Sequence, residues 1–70
     1  MKNDNLKFLR EMYPKGTKVQ LDFMDDIQAP HIGSIGIVEC VDDACQIHVK
    51  WENGSRLALI SECDKFHIVK

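Results

Sequence analysis

The stretch Gly33–Leu59, GSIGIVECVDDACQIHVKWENGSRLAL, carries apolar residues at every second position: Val38 and Cys40, then Cys45, Ile47, Val49 and Trp51, then Leu57 and Leu59. A period of two gathers these side chains on one face of a pleated strand, so the stretch predicts three consecutive short strands. Val41-Asp42-Asp43-Ala44 is polar enough to turn between the first two. Read as a four-residue loop, it pairs Cys40 with Cys45 and keeps both apolar sets on the same face.

The faces also decide the length of the next turn, Glu52-Asn53-Gly54. A two-residue Asn53-Gly54 loop would set Trp51 opposite Arg56 and Lys50 opposite Leu57, mixing apolar and charged residues on one side of the sheet. A three-residue loop pairs Val49 with Leu57 and Ile47 with Leu59 instead. Such a loop is a type I turn followed by a residue of positive φ in a bulge, and Gly54 falls at that position. Gly33 and Gly36 open the first of the three strands, where a glycine marks a sharp bend or a close approach of backbones.

Toward the N-terminus, Thr17–Phe23 alternates most cleanly, with Val19, Leu21 and Phe23 inward and Lys18, Gln20 and Asp22 outward. Ahead of it, Tyr13-Pro14-Lys15-Gly16 has proline and glycine where a type I turn prefers them. Asn3–Tyr13 predicts a helix, because Leu6, Leu9 and Tyr13 fall at i, i+3 and i+7, with Phe8 and Met12 beside them. Asn3, Asp4 or Asn5 can cap its start, and Pro14 ends it. So short a helix is marginal alone and must lie on the β structure. Met24–Ile32, MDDIQAPHI, breaks the alternation and reads as a long loop, either a binding element or a solvated connector. After Leu59, Ile60–Lys65 reads as a turn and Phe66–Val69 as a short last strand.

Five short strands, a long first loop and two tight hairpins predict a mainly β fold: a small five-stranded SH3-like barrel over residues 16–69, with a short N-terminal α-helix over residues 1–13, in a single domain spanning 1–70. The expected core is Val19, Leu21, Val38, Ile47, Val49 and Leu57.

Composition narrows the function. Seventy residues make one small domain, which buries only about 60% of its unfolded surface. Nine basic and eleven acidic residues leave a net charge of −2, which argues against sequence-independent binding of nucleic acid. There is no run of about 18 apolar residues to span a membrane. The opening MKNDNLKFLREMYP lacks the apolar core of a signal peptide, so a cytoplasmic location is expected. Three cysteines without a signal peptide do not make a disulfide framework. Cys40 and Cys45 read as small buried apolar residues. Cys63, His31, His48 and His67 stand at no CxxC or HxxxH spacing, so neither a metal site nor a cofactor is expected.

The pieces Tyr13-Pro14, Gly16-Thr17-Lys18-Val19, Met24-Asp25-Asp26, Pro30, Gly33, Gly36, Val38, Val41-Asp42-Asp43 and Trp51-Glu52-Asn53-Gly54-Ser55, in this order and spacing, resemble a bacterial family of domains of unknown function numbered 4314. The likeness covers Arg10 to Val69. Glu62-Cys63-Asp64 departs from it where the pattern leads one to look for a glycine. The resemblance implies a small barrel from Firmicutes or their mobile elements, and implies no activity.

No nucleophile elbow, phosphate-binding glycine loop or metal-ligand spacing points to an enzyme. Ser34, Ser55 and Ser61 lie in or beside turns, and Asp25-Asp26 and Asp42-Asp43 read as solvated turn formers. Two binding readings follow. In the first, Tyr13, Asp25, Asp26, His31 and Trp51 form a surface for a protein or peptide partner, one that is basic or proline-containing. Trp51 reads first as a core residue at the barrel's end, and only second as part of this surface. In the alternative, Lys18, Lys50 and Arg56 make a nucleic-acid-binding patch, diluted by Asp22 and Glu52 and lacking exposed aromatics for base stacking. The chain is expected to be a monomer rather than a homodimer, and no membrane contact is expected. Ile35 and Ile37 fall on the outer face, and the helix is expected to cover them, from the same chain or, failing that, from a second copy.

Overall fold

The computed structural model describes residues 2–69, with side chains from Asn5 onward. Met1 and Lys70, the ends of the expected 1–70 unit, lie outside the described residues, as do the side chains of Asn3 and Asp4. One helix, α1 (Lys2–Met12), precedes five strands: β1 (Lys18–Phe23), β2 (Ile35–Val41), β3 (Gln46–Trp51), β4 (Leu59–Ile60) and β5 (Lys65–Ile68). Asn5 therefore sits within the helix and does not cap it. Tyr13 N–H donates the last helical bond to Leu9 O at 2.8 Å, and Pro14 has no N–H to extend it. Thr17 N and Oγ1 both donate to Pro14 O, at 3.0 and 2.7 Å, so the turn spans Pro14–Thr17, one residue later than its sequence signature.

The strands form one antiparallel sheet in the order β4-β3-β2-β1-β5. No ladder joins β4 to β5 among the described residues, so the hydrogen-bonded sheet is open where the sequence reading closes a barrel. It is nevertheless strongly curled. Five flat strands would hold their edges about 19 Å apart, yet Asp64 N donates to Ile60 O at 2.8 Å and Ile60 N donates back to Asp64 Oδ2 at 2.8 Å. That single turn ties the end of β4 to the start of β5 on the opposite edge.

Two bulges revise the faces. Val38 pairs with Val49, but Cys40 pairs with His48 and Val41 with Ile47, so Glu39 is an extra residue in β2. An inserted residue reverses the alternation beyond it. Val41 is turned into the core and Cys40 out to solvent, which corrects the inward reading of Cys40 and its pairing with Cys45. A second irregularity, between Leu21 and Phe23 against β5, leaves Phe23 47% exposed although the alternation points it inward.

The inner face holds Val19, Leu21, Val38, Val41, Ile47, Val49, Trp51 and Leu59, all buried, with Leu57 half-buried at the rim. Gly36 makes the packing of Trp51 possible. A Cβ there would lie 2.7 Å from Trp51 Cε3 and overlap Val49 Cγ1, so no other residue fits without displacing the core. Leu9 completes the cluster from α1. The helix thus spends its apolar stripe on the core, beside the Val41 end of β2, and Arg10 anchors it there by donating from Nε and Nη2 to Val41 O at 3.2 and 3.1 Å. Ile37 stays 39% exposed on the outer face. The expectation that α1 covers Ile35 and Ile37 is therefore corrected: burying Leu9 in the core, worth about 1.5–3 kcal/mol, holds the helix elsewhere.

Candidate functional site

The loop between β1 and β2 is built by local hydrogen bonds. Asp26 Oδ1 accepts from Gln28 N at 2.8 Å and Asp26 O accepts from Ala29 N at 3.0 Å, a turn in which the carboxylate replaces a backbone acceptor. Pro30 is buried. Ser34 N donates to His31 O at 3.0 Å, while Gly33 N and Leu21 O (2.7 Å) and Leu21 N and Ser34 O (2.9 Å) clamp the loop's end to β1. On this frame Asp25, Asp26 and His31 are exposed, as the sequence reading places them. So are Ile27, at 102%, and Ile32, at 71%.

Of the two aromatics of that reading, Trp51 does not join the loop as a binding surface. Trp51 is 1% exposed and donates from Nε1 to Leu57 O at 2.9 Å, so both its rings and its polar atom are used by the fold. Tyr13 is half-buried with its ring 5.4 Å from that of Phe66, tilted by 55°. Its position is explained by the tie between the end of α1 and β5.

The three cations divide. Lys18 and Lys50 both pair with Ile37, one from each side, so they face outward in one row about 10 Å apart. Arg56 is drawn toward β2, its Nη1 donating to Glu39 Oε1 at 3.3 Å.

Two histidine–carboxylate pairs escape sequence reasoning because strand pairing or a turn creates them. His67 Nδ1 lies 2.8 Å from Asp22 Oδ2 across the β1–β5 ladder. His48 Nε2 lies 2.8 Å from Asp42 Oδ2. The His48 hydrogen bond, then that from Gln46 N and, more weakly, that from Ala44 N hold the Asp42 carboxyl below its ordinary value of 3.8, against an opposing effect of desolvation. The sequence reading missed Ile27; its signal is an isoleucine set between Asp26 and Gln28, outside any alternation.

Two clefts lie elsewhere. One of about 360 Å³ is bordered by Arg10, Tyr13, Pro14, Lys15, Glu39, Cys40 and Val41, and one of about 290 Å³ by Asn5, Asp43, Ala44, Cys45 and Glu62. Neither includes a residue of the Met24–Ile32 loop. Among the described residues, no three His, Cys, Asp or Glu side chains converge on a point where a metal could sit.

The sequence pattern of the family described as Domain of unknown function (DUF4314) matches residues 2–69, from the helix through the last strand. The chain belongs to the DUF4314 family. No curated protein and no solved structure matches it. For this DUF4314 chain the functional argument therefore rests on its own surfaces. No helix among the described residues is long and apolar enough to cross a membrane.

Proposed function

We propose that this chain is a non-enzymatic interaction module of the cytoplasm, a curled SH3-like barrel that binds a protein partner through the Met24–Ile32 loop. One observation carries the reading: a hydrogen-bonded loop holds Ile27 and Ile32 in solvent beside Asp25 and Asp26. Aliphatic side chains kept exposed on an ordered loop gain by being covered, at about 25 cal/mol per Å². The strand order and the Ile60–Asp64 turn support the barrel. Three free cysteines, two of them exposed, fit a reducing compartment. The isolated chain is a monomer in this reading, since its own contacts already bury the helix stripe.

A second reading is favoured by the Lys18–Ile37–Lys50 row, which suits a nucleic-acid backbone. A binding titration at two salt concentrations separates the two. A partner protein captured from host extract, then purified, should saturate at one per chain, lose affinity in the double variant Ile27→Ser/Ile32→Ser, and show a shallow salt dependence. Steep loss of oligonucleotide affinity with salt, abolished by Lys18→Glu/Lys50→Glu, would instead establish the second.

A further inference from the structure

The protein-binding reading leaves open which side supplies the cavity, and the geometry points to the partner. We infer that Ile27 is an inserted anchor, received by an apolar pocket on a folded partner protein whose rim carries lysine or arginine; this rests on the reading above. A module that receives a peptide needs an apolar groove. The two clefts described above mix charged with apolar residues, Arg10, Lys15 and Glu39 standing beside Tyr13, Pro14 and Val41 in the larger, and contain no residue of the loop. Ile27 does the reverse and projects, as exposed as in an extended peptide. It sits at the tip of a turn closed by Asp26 Oδ1 and Asp26 O, on a loop pinned by buried Pro30 and by the clamps to Leu21. The tip is thus held in one shape before contact, which lowers the entropy lost on binding.

The charge of the rim follows from the two residues that precede the anchor. Asp25 and Asp26 are exposed, and neither forms an ion pair with a described residue. Opposite charges around the receiving pocket would steer the approach and fix its orientation, while acidic rims would be repelled. Ile32 lies on the same loop and extends the apolar contact beyond a single side chain. An extended basic peptide fits less well, because it would leave most of the projecting Ile27 uncovered.

The test places a photo-crosslinking amino acid at position 27, and separately at positions 8 and 50, in the full chain, irradiates it in host extract, and maps the joined residues by mass spectrometry. The expected result is a dominant product from position 27 alone, joined inside an apolar pocket with lysine or arginine at its edge. With the partner so identified and purified, Ile27→Ser should weaken binding about tenfold to a hundredfold. Asp25→Asn/Asp26→Asn should weaken it at low salt and change little at high salt. Unchanged melting of these variants keeps folding out of the comparison. A partner that joins from position 8 or 50 but not 27 overturns the anchor and leaves the interaction module standing. No product from any position overturns both. A product that is a second copy of this chain, or an unstructured peptide, overturns the folded-partner assignment.

Discussion

The two turns that flank β3 have the same architecture and different residues at their critical position. After β3, Trp51 N donates to Ser55 O at 2.9 Å and Gly54 N to Trp51 O at 2.9 Å, with Gly54 at φ +89°. Before β3, Asp42 N donates to Gln46 O at 3.0 Å and Cys45 N to Asp42 O at 3.0 Å, with Cys45 at φ 63°. Both are three-residue loops closed by a bulge. The first was readable because glycine announces positive φ. The second was read as a four-residue loop because cysteine announces nothing of the kind. It holds this shape with help from Asp42, whose Oδ1 accepts from Ala44 N and Gln46 N at 2.9 and 3.0 Å and whose Oδ2 meets His48. The glycine turn has two side-chain bonds from two different acceptors, Ser55 N to Asn53 Oδ1 at 2.9 Å and Leu57 N to Ser55 Oγ at 3.3 Å. A backbone conformation can thus be encoded by a permissive residue or enforced by a neighbouring acceptor.

The largest effect should come from breaking the strand that both turns share. Val49 is fully buried, and Val49→Asp places an unpaired charge in the core. Cooperative thermal unfolding should disappear; a variant that melts like the parent would contradict the register described for β3. Next comes Gly54→Val, which forces a β-branched residue into the left-handed region and should lower stability by about 1–2 kcal/mol. Urea denaturation reads it directly, and an unchanged midpoint would mean the turn can re-form without positive φ.

Acid sharpens the comparison further. The folded pKa of Asp42 is depressed, so its stabilising effect is complete above the unfolded value of 3.8 and is lost as pH falls through the lower folded one. Melting temperature measured from pH 6 down to pH 2 should therefore fall more gently at the acid end in Asp42→Asn than in the parent, whereas Asn53→Ala should leave the slope alone. The smallest effect should be Cys45→Gly. Relief of positive φ is worth about 1–2 kcal/mol and the entropy of glycine offsets about 0.5–1 of it, leaving a net gain of about 0.5–1 kcal/mol. A loss of stability would show that packing of Cys45 outweighs its backbone strain.

Much of the fold was legible where one local rule sufficed. Val19 and Leu21, Ile47 and Val49, and the pairing of Ile47 with Leu59 all follow from period two and a glycine-bearing turn. The readings failed where an extra residue interrupts a ladder. Glu39 in β2 turns Cys40 outward, and the irregularity after Leu21 turns Phe23 outward. Nothing in VECV or LDF marks those insertions, because a bulge is a property of two strands and not of one. The candidate site divides in the same way. Asp25, Asp26 and His31 lie on an exposed loop as a polar, proline-containing segment should, whereas Trp51 takes the core place that the alternation gives it and not its second place on the binding surface.

By itself the sequence determined the helix ending before Pro14, the number and approximate limits of the strands, and which residues of β3, and of β1 as far as Leu21, face inward. These depend on neighbours within a few positions, through periodicity and backbone preference. Only the tertiary structure decided that the sheet curls until Asp64 meets Ile60, that Leu9 docks on the core and leaves Ile37 in solvent, and that Asp42 and His48 come together. Each of those depends on residues meeting across strands or across a turn, and on competition among apolar groups for one small core, which no local pattern records.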